Sequence, residues 1–226
     1  NGIPWWYFQG FGGEWDGLRL ERVDPAGVIS SAIEARRVVG SIVYFSTEIT
    51  APGVVQHIEG NRISLGEPDG SRSDRCRRIA EALIASGLRA PISARLRHEI
   101  WVKVMGNASF NPVSALTRAT LVQMVRDPGV CAVIRNIMRE VEAVSNKLGM
   151  ELPISIDQRI AGAEKVGEHK TSMLQDLEAG RPMELEALVG AVVELGERVG
   201  LPMSYTKTVY ACTKLLAKSS TSQQTK

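Results

Sequence analysis

The chain has 226 residues, which is enough to bury the core of one or two domains. Hydrophobic residues make up 44% of it, charged residues make up 23%, and the formal net charge is only +2. This globular composition argues against nucleic acid as a partner, no apolar run approaches the roughly 20 residues of a membrane span, and three widely spaced cysteines favour neither a disulfide framework nor a zinc site.

Residues 1–72 are rich in glycine and β-branched side chains, as is typical of an α/β segment. The nearly continuous apolar run at residues 37–45 predicts a buried strand. Residues 54–58 and 62–65 flank the pair Gly60-Asn61, which predicts a hairpin that turns at this pair.

Two features near the start of the chain superficially suggest a binding site. The aromatic residues 5–8 have no interleaved basic residues, so packing is the favoured interpretation over a stacking platform. Residues 10–15 are glycine-rich, but no strand precedes them and Trp15 stands where a dinucleotide loop needs a third small residue. We therefore exclude a phosphate-binding loop there.

After Gly70 the apolar residues recur at helical spacing. The pattern predicts helices over residues 74–86, 94–116, 127–148, 154–166, 173–179, 183–199 and 204–217. Residues 73–218 are thus predicted to form a mainly α-helical domain, and residues 219–226 a polar, frayed tail.

The helix predicted over residues 94–116 carries three polar side chains in one line. Lys103, Asn107 and Asn111 stand at positions i, i+4 and i+8 among apolar neighbours. Asparagine is a poor helix former, so its recurrence suggests groups that face a ligand, where a partly desolvated lysine would be a good proton donor. An exposed edge of an amphipathic helix explains the stripe equally well.

Two further stretches have both an ordinary and a functional interpretation. Ser172 with Gln175 forms a capping-box pattern, so a helix is predicted to begin at Ser172; its free N–H groups suit a carboxylate, although the local signal favours a simple cap. Glu184 follows Pro182 and suits the first turn of a helix for electrostatic reasons alone.

Taken together and in order, these motifs resemble those of the ketopantoate reductases. The series is N-G-I-P at residue 1, K-x-x-x-N-x-x-x-N-P from Lys103, S-M-L-Q-D from Ser172, and a glutamate twelve residues after that serine. The resemblance covers nearly the whole chain. It implies the end of an N-terminal Rossmann-type domain followed by a helical domain of the 6-phosphogluconate dehydrogenase C-terminal type, with the substrate in the cleft between the two domains.

The resemblance also implies an activity and a role for each residue. Members reduce 2-dehydropantoate with NADPH in the biosynthesis of pantothenate. Lys103 resembles the general acid of the family, and the residues that resemble its substrate ligands are Asn1, Asn107, Asn111 and Ser172. Asn1, Ser46 and Glu184 resemble residues that contact the cofactor. No metal is implied, and a cytoplasmic enzyme, possibly a homodimer through its helical domain, is expected.

The chain departs from the family pattern in two ways. The phosphate-binding G-x-G-x-x-G loop and its βαβ unit are absent, so we expect a piece of a longer protein that binds NADPH weakly by itself. Leu121 stands where some members carry another asparagine, which leaves open a different 2-oxo acid as substrate. The alternative from another class is a non-catalytic helical domain for dimerisation or partner binding.

Overall fold

The region before residue 70 is dominated by one long antiparallel hairpin. A computed structural model describes residues 1–224, with the side chains of residues 1–220. Strands β1 (Gly40–Ala51) and β2 (Val54–Gly66) form a two-stranded sheet. The buried strand predicted at residues 37–45 is wrong in its start and its burial, because β1 begins at Gly40 and alternates between covered and exposed residues, as an antiparallel strand with one packed face does.

The predicted turn at Gly60-Asn61 is a β-bulge within β2 instead. The register skips Asn61, and Gly60 has a φ of 74°, a conformation that glycine adopts without strain. A Cβ atom at Gly60 would lie 2.3 Å from the carbonyl oxygen of Tyr44. The hairpin turns at Pro52-Gly53, where Gly53 has a φ of 78°. Strand β2 therefore runs through Gly60-Asn61 without turning.

Strand β2 leads into a parallel crossover. Helix α2 (Asp74–Ala85) follows it, and the chain then returns alongside β2, where the backbone N–H groups of Ile63 and Leu65 donate to the carbonyl oxygens of Arg89 and Pro91 at 2.8 and 2.9 Å. A strand, a helix and a parallel return segment make up the repeating unit of α/β domains. This crossover is the remnant of a Rossmann-type domain that the sequence predicts.

One short helix, α1 (Val28–Ala32), precedes the hairpin. The chain that follows the crossover is helical. Its elements are α3 (Leu96–Thr117), α4 (Leu121–Arg126), α5 (Pro128–Lys147), α6 (Ile156–Val166), α7 (Ser172–Glu178), a π-helical turn (Glu186–Gly190), α8 (Ala191–Arg198) and α9 (Ser204–Gln224). This order confirms the fold class expected from the sequence, an α/β remnant followed by a mainly α-helical region.

Helix α5 shows why the helical predictions succeed. Asp127 precedes it, and the carboxylate accepts a hydrogen bond from the N–H of Val130 at 2.8 Å, while Pro128 occupies the first turn. The helix ends before Gly149, whose φ is 74°. Its apolar stripe is fully buried at Ile134, Ile137, Met138, Val141 and Val144. The capping residues and the apolar periodicity thus predict the same limits for the helix, and α5 has these limits to within one residue at each end.

Two predicted helices have different limits in the structure. The segment predicted over residues 183–199 begins with a π-helical turn before α8, because the N–H of Ala191 bonds to the carbonyl oxygen of Glu186, five residues back. Helix α9 continues through residue 224, across most of the segment predicted as a frayed tail. Residues 225 and 226 of that segment lie outside the described residues.

Contacts between Cα atoms group the chain into two compact units. The hairpin unit contains Trp6–Arg19 and Val28–Glu99, and the helical unit contains Asn1–Trp5, Leu20–Gly27 and the chain from Ile100 onward. The division into domains at residues 1–72 and 73–218 stays a prediction. The first five residues therefore belong to the same unit as the helices from Ile100 onward. Asn1 and the polar residues of α3 thus lie in one unit.

Candidate active site

Helix α3 holds the polar stripe in the middle of the helical unit. Lys103 and Asn107 are half-buried, and Asn111 is buried, with only 5% of its surface exposed. Of the apolar neighbours expected to be buried, Val104, Met105, Ala108 and Phe110 are, and Val102 is only half-buried. Trp101 is completely enclosed. The stripe therefore lies on a packed helix, and all three of its polar side chains are at least half-buried.

The N-terminal segment brings Asn1 to this stripe. The N–H of Ile3 donates to the carbonyl oxygen of Ala187, in the π-helical turn, at 3.1 Å, and the Ile3 side chain is 1% exposed. Gly2 has a φ of 78°, and a Cβ atom there would lie 2.2 Å from the same carbonyl oxygen. Only glycine permits this approach, so the pair Asn1-Gly2 is more than the turn that its sequence suggests.

Three polar side chains then form a continuous chain of hydrogen bonds. The amide of Asn107 donates to Oδ1 of Asn1 at 3.5 Å, and Nδ2 of Asn1 donates to Oε2 of Glu184 at 3.0 Å. These residues are more than 75 positions apart in sequence, and the fold collects them beside Lys103. The structure thus brings together Lys103, Asn107, Asn1 and Glu184, four of the seven residues that the sequence singles out.

The charge of Lys103 is set by two opposing effects. Burial lowers the pKa of its ammonium group below the ordinary value, and the nearby carboxylate of Glu184 offsets part of that shift. A lysine with a lowered pKa gives up its proton more readily at neutral pH, which is the property required of a general acid.

Ser172 and Asn111 form a second polar pair. The amide of Asn111 donates to Oγ of Ser172 at 3.4 Å. The prediction that Ser172 caps its helix is wrong. Thr171 is the cap, because its side chain accepts the N–H of Leu174 at 3.3 Å, and Ser172 is the first helical residue. Thr171 and Ser172 are both residue types that cap helices. The helix begins after Thr171, so the Thr171 side chain is the one placed to accept the N–H of Leu174.

Ser46 belongs to the hairpin unit. It occupies β1 opposite Glu59 and is half-buried. Its role as a cofactor contact stays a prediction.

The π-helical turn is the feature of the site that sequence reasoning misses. The hydroxyl of Tyr210 donates to both carboxylate oxygens of Glu186 at 2.8 and 2.7 Å, and the cations of Lys214 and Arg22 lie 3.1 and 3.4 Å from the same group. Burial opposes the ionisation of Glu186, but the hydrogen bonds from Tyr210 and Lys214 outweigh it and lower its pKa. The cluster stabilises the turn whose Ala187 carbonyl holds the N-terminal segment.

Comparison with known proteins agrees with this geometry. The family model described as "Ketopantoate reductase PanE/ApbA C terminal" matches residues 95–217. A 2-dehydropantoate 2-reductase of Mesorhizobium japonicum is 53% identical over 96% of this chain and 67% of its own length. The chain belongs to the ketopantoate reductase family. It spans about two thirds of the length of that relative.

Solved structures of ketopantoate reductases share the fold. A candidate ketopantoate reductase from Ralstonia solanacearum superposes with a TM-score of 0.92 at 38% identity, over 97% of this chain and 67% of that one. A 2-dehydropantoate 2-reductase from Methylococcus capsulatus gives a TM-score of 0.76 at 32% identity, over 80% of this chain and 59% of that one.

In the described residues, no helix has both the length and the apolar character of a membrane span.

Proposed function

We propose that this chain provides the substrate site of an NADPH-dependent reductase that converts 2-dehydropantoate to pantoate. The observation that carries the proposal is the position of Lys103, half-buried and within the field of Glu184, next to the amides of Asn107 and Asn1. A domain that served only for dimerisation would need no such lysine, whose burial opposes folding.

The chemistry follows from these side chains. When bound, a reduced nicotinamide would supply a hydride to the ketone carbon. The ammonium group of Lys103 stabilises the negative charge that develops on the ketone oxygen and donates its Nζ proton there. Asn107, Asn111 and Ser172 orient the hydroxyl and carbonyl groups of the substrate, so that the ketone carbon is held in a reactive position.

The described residues fit one end of the cofactor. The amide of Asn1 and the carboxylate of Glu184 can hydrogen-bond the carboxamide and ribose hydroxyls of a nicotinamide nucleotide, and Ser46 is proposed as a further contact. The phosphates need a glycine-rich loop at a helix N-terminus, which these 226 residues lack. We therefore expect titration calorimetry to show little or no NADPH binding to this chain alone, and binding in favour of NADPH over NADH in the full-length protein.

The deciding experiment is a steady-state assay of the full-length protein with 2-dehydropantoate and NADPH. We expect consumption of NADPH with formation of pantoate, identified by mass spectrometry. If a different 2-oxo acid is reduced faster, the substrate is wrong and the chemistry stands. If no 2-oxo acid supports the oxidation of NADPH, the non-catalytic helical domain is the better account. A homodimer, implied by the family resemblance, stays a prediction.

A further inference from the structure

Gly190, the last residue of the π-helical turn, leaves room for the carboxylate of Glu186. A Cβ atom at Gly190 would lie 2.7 Å from Oε2 of Glu186 and 3.5 Å from Cε2 of Tyr210. Cγ of Arg22 would also be 3.5 Å away. Glycine inside a helix lowers stability relative to alanine. Here the missing side chain lets groups from three distant parts of the sequence meet over one face of the turn.

The carboxylate of Glu186 connects the turn to two other segments. On one side it accepts the hydroxyl of Tyr210, a residue of α9 that is only 8% exposed. On the other side it pairs with Arg22, whose own position is fixed, because the N–H groups of Arg22 and of the residue before it donate to the carboxylate of Glu194 in α8 at 3.0 and 3.1 Å. Hydrogen bonds to a charged acceptor are stronger than neutral ones. The turn is therefore held by its side chain as well as by its backbone.

Both contacts that place Asn1 come from this turn and the residue that leads into it. The carbonyl oxygen of Ala187 accepts the N–H of Ile3 at 3.1 Å, and the carboxylate of Glu184 accepts the amide of Asn1 at 3.0 Å. The carbonyl oxygen of Glu184 in turn accepts the N–H of Leu188 at 3.3 Å, so its backbone belongs to the same turn. The position of Asn1 thus depends on the shape of the turn.

We propose that Tyr210 and Glu186 are positioning residues for the reductase reaction, which act through Asn1. They hold the π-helical turn in its shape, and the turn holds Asn1 where its amide meets Asn107 and the nicotinamide end of the cofactor. This inference rests on the proposed reductase function. Tyr210 and Glu186 have no assigned contact with substrate or cofactor, so their effect on turnover must pass through Asn1.

The first test compares kinetic losses in the full-length protein. Tyr210→Phe removes the hydroxyl group and keeps the ring, which packs in the apolar core. We expect kcat/KM for 2-dehydropantoate and for NADPH to fall on the order of tenfold, because a displaced orienting group is costly to turnover. The loss should divide between kcat and KM as it does in Asn1→Ala. The double variant should lose no more than Asn1→Ala alone, because both changes remove one interaction.

Two further comparisons control for general damage to the fold. Tyr205→Phe alters an exposed tyrosine of the same helix and should change kcat/KM by less than about twofold. Glu186→Gln keeps an oxygen that can accept the Tyr210 hydroxyl, so it should retain more activity than Glu186→Ala. If Tyr210→Phe does not fold, the Glu186 variants are combined with Asn1→Ala in its place, and the same absence of further loss is required.

The second test does not depend on activity. Hydrogen exchange, followed by mass spectrometry of peptides that cover residues 1–5, reports the N–H of Ile3. Tyr210→Phe should accelerate exchange there by at least about threefold and leave α5 unchanged, because only the docking of the segment is loosened.

The outcomes separate the two proposals. If the losses of Tyr210→Phe and Asn1→Ala add, or if exchange is unchanged at Ile3 or rises equally throughout the chain, the positioning role is wrong and the reductase stands. If wild type reduces no 2-oxo acid, the reductase proposal fails, and the positioning role fails with it.

Discussion

Glu67 in the hairpin unit and Lys103 in the helical unit are both sheltered charged groups, and the two are held in opposite ways. In the hairpin unit, Glu67 is 5% exposed, and its carboxylate accepts hydrogen bonds from Ser73 and, at 2.7 Å, from Nε of Arg75. In the helical unit, Lys103 is half-buried among apolar residues, with the carboxylate of Glu184 as the charge that acts on it.

The pKa of both groups is lowered, but the meaning differs. The hydrogen bond from Arg75 lowers the pKa of Glu67, which means that folding favours its charged form. Burial lowers the pKa of Lys103, which means that folding disfavours its charged form. By linkage, Glu67 contributes stability at neutral pH and Lys103 reduces it. A charge that the fold opposes and yet retains is a good candidate for chemistry.

The largest expected effect separates activity from stability at Lys103. Replacing it with Ala removes the proposed proton donor, so kcat should fall by roughly 10²–10⁴. The melting temperature should stay the same or rise, because the charge that folding opposes is gone. Steady-state kinetics and a thermal melt of the full-length protein measure both. Lys165→Ala, an exposed lysine on α6, is the matched control. Turnover within about threefold of wild type would remove Lys103 from the mechanism.

The reverse pattern is expected at Glu67. Glu67→Gln should lower the free energy of unfolding by about 2 kcal/mol, less than the roughly 3–5 kcal/mol of a fully buried pair, because Arg75 is 38% exposed. The stability from Glu67 is complete above the ordinary pKa of a glutamate and is lost as the pH falls through its lowered folded pKa. Urea titrations near neutral pH and in acid should show that the variant and wild type converge in acid.

Asn107 should show an effect on binding rather than on turnover. Asn107→Ala removes a neutral hydrogen bond made in both ground and transition states, so KM should rise by about tenfold, with kcat changed less. Asn146→Ala, an exposed asparagine on α5, serves as the control. A loss confined to kcat would move Asn107 from orientation to the chemical step.

The smallest effect concerns the coupling of Glu184 to Lys103 and is measured in the pH profile of kcat/KM. Glu184→Gln removes the carboxylate that keeps the Lys103 proton in place, so the pKa of Lys103 should fall further. Since the lysine must be protonated to donate, kcat/KM should begin to fall at a lower pH than in wild type. A pH profile that is displaced upward, or not displaced, would exclude this coupling.

Local patterns in the sequence predict the helical unit well. Helix α5 has a capping aspartate, a proline in its first turn and a closing glycine, and all three act within a few residues of the helix ends. The stripe of Lys103, Asn107 and Asn111 is likewise a consequence of helical spacing alone. Where the outcome depends on neighbours in sequence, the physical rules are mostly sufficient. The exception is the cap of α7, where Thr171 rather than Ser172 accepts the N–H of Leu174.

The errors fall where distant residues decide. Gly60-Asn61 has turn chemistry, but cross-strand pairing over residues 54–66 makes it a bulge. The hydrogen bond between Asn1 and Glu184 spans 183 positions, and only the family resemblance connects them in the sequence. Gly106 is a glycine inside helix α3, and a Cβ atom there would lie 2.0 Å from Nη2 of Arg159 in α6. A glycine in a helix signals a close approach, but the sequence does not identify Arg159 as the partner.

The π-helical turn at Glu186–Gly190 behaves as a one-residue insertion in an otherwise ordinary helix. Deleting one residue within it would restore α-helical hydrogen bonding and leave the downstream packing of α8 in its original phase. The carbonyl of Ala187 would then turn back into the helix and release Ile3, and with it Asn1. The packing of the helices would therefore not depend on the docking of the N-terminal segment. The helices could keep their arrangement in a variant whose site had lost Asn1.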